Sequence, residues 1–224
     1  MRRLMQILTL GTTCVFFALQ PQPAQAQSED VPRYEVGAQF SSLSIRDPAF
    51  ANHTEPGFGG RFTVNLTEYL AAEAQVDFYP QNRRNASEFS GGRTLSALFG
   101  IKAGKRYKHF GIFGKARPGF IHFTRTIERF VEVPVVGNPP FTLFLPQYRG
   151  RTEFATDVGG VLEFYPTRRI VTRLDFGDTI IRYGARTFGV QTITTPTGTT
   201  NLPLMRPAET GHNFQFSAGI GFRF

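Results

Sequence analysis

The stretch Phe214-Gln215-Phe216-Ser217-Ala218-Gly219-Ile220-Gly221-Phe222-Arg223-Phe224 places Phe, Ala and Ile on one parity and Gln, Ser, Gly and Arg on the other. A period of two describes a β-strand with one apolar and one polar face. A water-soluble sheet covers such an apolar face with more protein. Here the rest of the chain repeats the same pattern and supplies no cover, so the expected cover is lipid.

Seven more segments carry the alternation. Their apolar parity runs through Tyr34–Phe40, Phe58–Val64, Leu70–Phe78, Leu95–Ile101, Ile112–Phe120, Phe154–Leu162 and Ile170–Phe176, and it holds no charged residue. The opposite parity collects Glu35, Arg61, Glu73, Asp77, Lys102, Lys115, Arg117, Glu153, Asp157, Glu163, Arg173, Asp175 and Arg223, seven acids against six bases. Alternation alone fits a two-sheet sandwich as well as a membrane barrel. The connections separate the two. At 46–56, 66–69, 79–93, 104–109, 124–150, 165–169 and 184–211 they alternate long and short, as in a transmembrane barrel with tight periplasmic turns and extended outer loops. About 11 residues at roughly 3.3 Å each, tilted near 40°, cross about 28 Å, close to a hydrocarbon core. An open sheet edge cannot sit in lipid, so eight strands predict a closed, antiparallel, up-and-down transmembrane β-barrel.

The amino-terminal sequence gives the address. Arg2 and Arg3 precede an apolar run from Leu4 to Leu19, then Pro21, Pro23 and Ala24-Gln25-Ala26. This pattern predicts a secretory signal peptide over residues 1–26 and a barrel domain over 27–224. The apolar run is short for a membrane anchor. Cys14, the only cysteine, lies inside that run and lacks the small-residue box of a lipid-attachment site. The mature chain is therefore expected to use no disulfide, thiolate nucleophile or cysteine metal site.

The formal net charge of +8 comes without a clustered basic face or run, which argues against nucleic acid. Attraction to the phosphates of outer-membrane lipid and lipopolysaccharide accounts for it better. With no Trp, Tyr34, Tyr69, Phe110, Phe164, Tyr165 and Phe224 are the expected periplasmic girdle, with Phe40, Phe58, Phe78 and Phe120 nearer the outer side.

In its leader, its eight alternating segments and its terminal Gly221-Phe222-Arg223-Phe224, the chain resembles the small outer-membrane β-barrel family that includes the OmpA transmembrane domain and OmpX-like proteins. The resemblance covers nearly all of residues 27–224. It implies an outer-membrane location, and an assembly signal at Phe216, Ala218, Ile220, Phe222 and Phe224 read by the barrel-assembly machinery. OmpA-type proteins continue into a periplasmic peptidoglycan-binding domain; here the sequence stops at the terminal strand, and tethering to peptidoglycan is not implied.

An eight-stranded barrel has an interior just wide enough for its own side chains. The thirteen charges are expected to fill it as a paired network, because unpaired buried charge is costly. Arg117, Asp157, Lys115, Glu163, Arg173 and Asp175 should meet across strands five, six and seven. Catalysis is not expected. His122 and His212 lack the Ser two residues away used by lipid-A deacylases that these barrels resemble in size, while His53 and His109 fall in or near connections. Glu73 and Asp77 have Arg61 and Lys102 as neighbours and read as counter-ions. Neither a metal-ligand spacing nor a cofactor motif is present. The long connections containing Glu132–Pro140 and Thr192–Arg206, rich in Pro, Thr and β-branched residues, suit protruding hairpins that could engage an extracellular ligand. The expected role is structural or surface-interacting (adhesion or envelope integrity), carried by a monomer; the alternative is a small ion or solute channel.

Overall fold

The computed structural model describes residues 31–46, 52–84, 86–87, 89–137, 141–195 and 198–224. The expected leader, residues 1–26, lies outside them. Among the described residues ten strands are formed: β1 (Tyr34–Ile45), β2 (His53–Asn65), β3 (Leu70–Arg83), β4 (Gly92–Arg106), β5 (Phe110–Val135), β6 (Phe141–Phe164), β7 (Ile170–Tyr183), β8 (Arg186–Thr195), β9 (Gly198–Arg206) and β10 (Glu209–Arg223). Eight of them close into an antiparallel barrel in the order β1-β10-β7-β6-β5-β4-β3-β2, while β8 and β9 pair only with each other. The terminal strand makes the closure. Its residues run against β1 from Glu35↔Arg223 to Ser44↔Phe214 and against β7 on the other side.

Strand limits drawn from alternation alone are too short at the outer end. β5 and β6 stay paired as far as Val135↔Phe141, with irregularities near Phe123–Arg129, so most of the connection expected at 124–150 is a hairpin standing beyond the barrel. The 184–211 connection contains the β8–β9 hairpin.

Parity fixes which face each side chain occupies. Val36, Phe40, Phe58, Phe62, Val76, Phe99, Ile101, Ile112, Phe120, Phe154, Val158, Phe176, Ile220 and Phe222 lie exposed on the outer wall. Most of the expected girdle residues lie there too. At the short-turn end Tyr34 packs on Phe224 and Phe62, and Tyr107 stacks on Phe110; toward the other end Phe58 meets Phe78 and Phe120 meets Phe154 edge-on. Tyr165 departs from this pattern. It is buried and its hydroxyl donates to Glu163 Oε2 at 2.9 Å, so it belongs to the barrel floor. The continuous apolar wall and closed edges leave the strands as the elements that cross the bilayer.

Candidate functional site

The interior is built in two layers. In the half nearer the short turns, ten ionisable side chains meet. Arg173 binds Glu73 through two guanidinium nitrogens, one contact being 2.9 Å, and binds Asp175 at 2.7 and 2.8 Å; it also reaches Glu163 at 3.5 Å. Lys102 pairs with Glu163 and lies 3.4 Å from Glu73. Lys115 sits 2.9 Å from Asp157 and 3.4 Å from Asp175. Arg117 grips Asp157 with Nε, at 3.0 Å, and Nη2. Arg61 lies 3.7 Å from Asp175. Asp77 completes the set without a cation among the described residues, accepting from Gln39 at 2.7 Å and Gln75 at 2.6 Å; Gln75 in turn accepts from Arg117. Five cations thus face five carboxylates, all buried. Near neutrality and multiple partners per charge are what allow such a set to persist away from water.

Small residues make the room. A Cβ on Gly59 would lie 2.1 Å from Asp77 Oδ1 and 2.3 Å from Val76 O, so the Asp77 carboxylate occupies space that any side chain at Gly59 would take.

Of the thirteen charges expected inside, the remaining three sit apart from these ten. Glu35 and Arg223 face one another in register at the short-turn end. Glu35 accepts from Asn65 at 3.0 Å and lies 3.6 Å from Arg106, and Arg223 stacks 4.2 Å over the Tyr165 ring. Burial first, then the Glu163 carboxylate, pushes the Tyr165 hydroxyl above the ordinary phenol range. Arg106 falls within the 104–109 connection expected from the alternation, yet it is the last residue of β4 and turns inward. Its guanidinium binds Tyr165 Oη at 3.0 Å and Asn65 Oδ1 at 3.1 Å. Glu153 lies at the opposite end. It pairs with Arg151, and with Arg186 at 3.4 Å, so it belongs to the outer mouth and not to the central network.

Above the charges lies an apolar layer that the alternation did not reveal. Leu43, Ile45, Tyr79, Leu98, Ile121, Phe123, Ala155, Ile181 and Tyr183 pack together across the lumen, joined by Phe89 from the β3–β4 connection. A serine turn delivers Phe89: Ser87 Oγ accepts from the Phe89 and Ser90 amides at 2.9 and 2.8 Å, and the Phe89 ring meets Tyr183 edge-on at 5.1 Å. The loop is tied down where Ile127 N donates to Ser87 O at 2.9 Å. Gly92 at its end has φ +72°, and a Cβ there would lie 2.3 Å from Thr124 Oγ1.

At the mouth a cleft of about 370 Å³ is lined by Thr126, Glu128, Arg149, Arg151, Arg186 and Thr187, among others. His53 is not a loop residue; it opens β2 and lies 3.2 Å from the buried Glu55. His122 pairs with Thr152 at 2.8 Å and His212 with Asp178 at 2.5 Å, both on the outer wall. Among the described residues no group of three His, Cys, Asp or Glu is placed to hold a metal. Phe216, Ile220, Phe222 and Phe224 of the expected assembly signal are exposed on the wall, and Ala218 is half-buried.

Comparison with known proteins agrees with this architecture. Residues 12–224 match the family model described as the outer membrane protein beta-barrel domain. Among solved structures the chain is similar to Ail, the attachment invasion locus protein of Yersinia pestis, at 10% identity and a TM-score of 0.50, covering 86% of this chain and 99% of that one. It is similar to Neisserial surface protein A at 11% identity and a TM-score of 0.49, covering 85% and 97%. No curated protein sequence matches it.

Proposed function

The chain belongs to the outer membrane protein β-barrel domain family and resides in the outer membrane, and from that premise we propose that it is a non-conducting, non-enzymatic surface protein that acts through its outer hairpins. The observation that carries this reading is the double seal. A lumen filled first by ten ionisable groups, nine of them ion-paired and Asp77 held by two amides, and then by an apolar layer disfavours passage of an ion, while β5 and β6 form nine further residue pairs beyond Phe123↔Arg151. Spending chain length on a protruding hairpin above a filled barrel favours recognition over transport. Residues 1–26 act in this proposal as a cleaved export leader. The wall-facing Phe216, Ala218, Ile220, Phe222 and Phe224 present the strand that the assembly machinery reads, and lipopolysaccharide surrounds the finished monomer.

Planar-bilayer recording on the refolded chain tests the first half: silence is expected, and discrete steps abolished by Arg117→Ala or Asp157→Ala would instead establish a conduit. Deleting residues 124–150 tests the second half. Binding of producing cells to host cells or envelope ligands should be lost while the heat-modifiable gel mobility of the barrel is kept.

A further inference from the structure

The outer part of the β5–β6 hairpin has the wrong surface for a segment standing in water. Three successive cross-strand pairs, Val131↔Leu145, Val133↔Leu143 and Val135↔Phe141, share one face and carry no polar side chain. On the other face Phe130 lies opposite Pro146 and Phe144 opposite Glu132. Leu143, Leu145, Phe141 and Phe144 are 45–61% exposed, and Val136 is fully exposed. From Phe130 to Pro146 the only charged residue is Glu132. Contiguous exposed apolar surface of this kind marks an interaction site.

Below the tip the character reverses. Arg125, Arg129, Arg149 and Arg151 ring the base of the same hairpin; Arg149 pairs with Glu128 at 2.9 Å and Arg151 with Glu153. Arg125 stacks 3.9 Å over Tyr148 and Arg129 is steadied by Gln147 at 2.6 Å. Neither has a carboxylate partner among the described residues.

We propose that this tip inserts into the interface of an apposed lipid bilayer, with the arginine collar resting on anionic headgroups. The inference rests on the outward, surface-acting reading above and names its partner. Lipid is favoured over a protein groove because apolar side chains occupy both faces of the hairpin, whereas a docked protein covers one. Anionic lipid is favoured by the collar's charge. Depth follows from the sequence. Three residue steps separate Glu132 from the end of the paired region at Val135↔Phe141, so roughly 10 Å of paired hairpin enters before a charge is reached, at the deep end of the 5–10 Å typical of interfacial elements. Full penetration is barred, since the open strand edges would lose hydrogen bonds in hydrocarbon. Pro134 lessens that cost by removing one backbone donor.

The absence of Trp makes the test clean. Leu143→Trp introduces a single indole at the tip. The full chain is refolded and placed in nanodiscs, with folding checked by heat-modifiable mobility. Vesicles of phosphatidylcholine with a minority of phosphatidylglycerol, with and without brominated acyl chains, are then added. The expected result is a blue shift with quenching by the brominated lipid, abolished by Val133→Asp in the same background and weakened about fivefold in lipid partitioning by Arg129→Gln. An unchanged spectrum with vesicles overturns the proposal, as does a shift produced by raising protein concentration alone, which would assign the face to a second copy. If hairpin deletion abolishes cell binding while vesicles leave the indole unmoved, the lipid proposal fails and the surface role stands.

Discussion

The two layers inside this barrel solve the same problem with opposite chemistry. The lower layer fills the lumen with charge and must satisfy every group, because the penalty for a buried unpaired ion exceeds the gain from any one contact. The upper layer fills it with Leu, Ile, Phe and Tyr and needs only shape. Their failure modes therefore differ. The lower layer is brittle to the loss of one member and tolerant of the matched loss of two, whereas the upper layer loses stability in proportion to the volume removed.

Arg173 is where the difference is largest, since it touches Glu73, Glu163 and Asp175 at once. Arg173→Ala should cost about 3–5 kcal/mol by leaving carboxylates buried without a partner, read as a lowered midpoint in heat-modifiable gel mobility or urea unfolding. Removing the facing carboxylate as well, in Arg173→Met with Glu73→Gln, should restore a substantial part of that loss. If the double variant is no better than the single, the network is not acting as coupled pairs. Next comes the upper layer. Leu98 is 1% exposed, and Leu98→Ala should cost about 2–3 kcal/mol as transfer plus cavity. A second substitution in the same layer should add to that cost and recover nothing, the contrary of the Arg173 result.

The lower layer was legible in the sequence and the upper layer was not, for a physical reason. Glu73, Lys102, Asp157 and Arg173 stand on a parity otherwise opposed to apolar residues, so period two exposes them. Leu98, Ile121 and Phe123 share that inward parity but sit in apolar runs, Leu95-Ser96-Ala97-Leu98-Phe99 and Phe120-Ile121-His122-Phe123, where lipid-facing and lumen-facing positions look alike. Phe89 was hidden further, because its place depends on a serine turn and not on a strand. Arg106 and Tyr165 sit elsewhere than the alternation predicts for a related reason. At a strand end a girdle aromatic, a turn cation and a floor residue have the same composition, and only the direction of the last Cα–Cβ bond separates them. Glu153 has the right parity but too high a position, five inward steps above the Glu163 level on the same strand, and height is set by register that periodicity does not report.

The comparison sharpens at Phe89, which belongs to the upper layer through a loop. Phe89→Ala should cost less than Leu98→Ala, about 1–2 kcal/mol, because the connection can settle into part of the space its ring leaves. It should also leave planar bilayers silent, since the charges beneath still fill the lumen. Conductance appearing in this variant would move the seal from the lower layer to the upper one.

The smallest effect is expected outside both layers. Arg149 and Glu128 form an ion pair at 2.9 Å, but the Arg149 side chain is 74% exposed, and water competes for both partners. Arg149→Ala should therefore change barrel stability by less than about 1 kcal/mol, in contrast to an arginine at the centre of the lumen. The two substitutions remove the same guanidinium from the same protein, so their ratio isolates the effect of surroundings. A loss at Arg149 as large as that at Arg173 would mean that the hairpin base is part of the folded barrel's cooperative unit, and the hairpin could no longer be deleted or altered as an independent surface element.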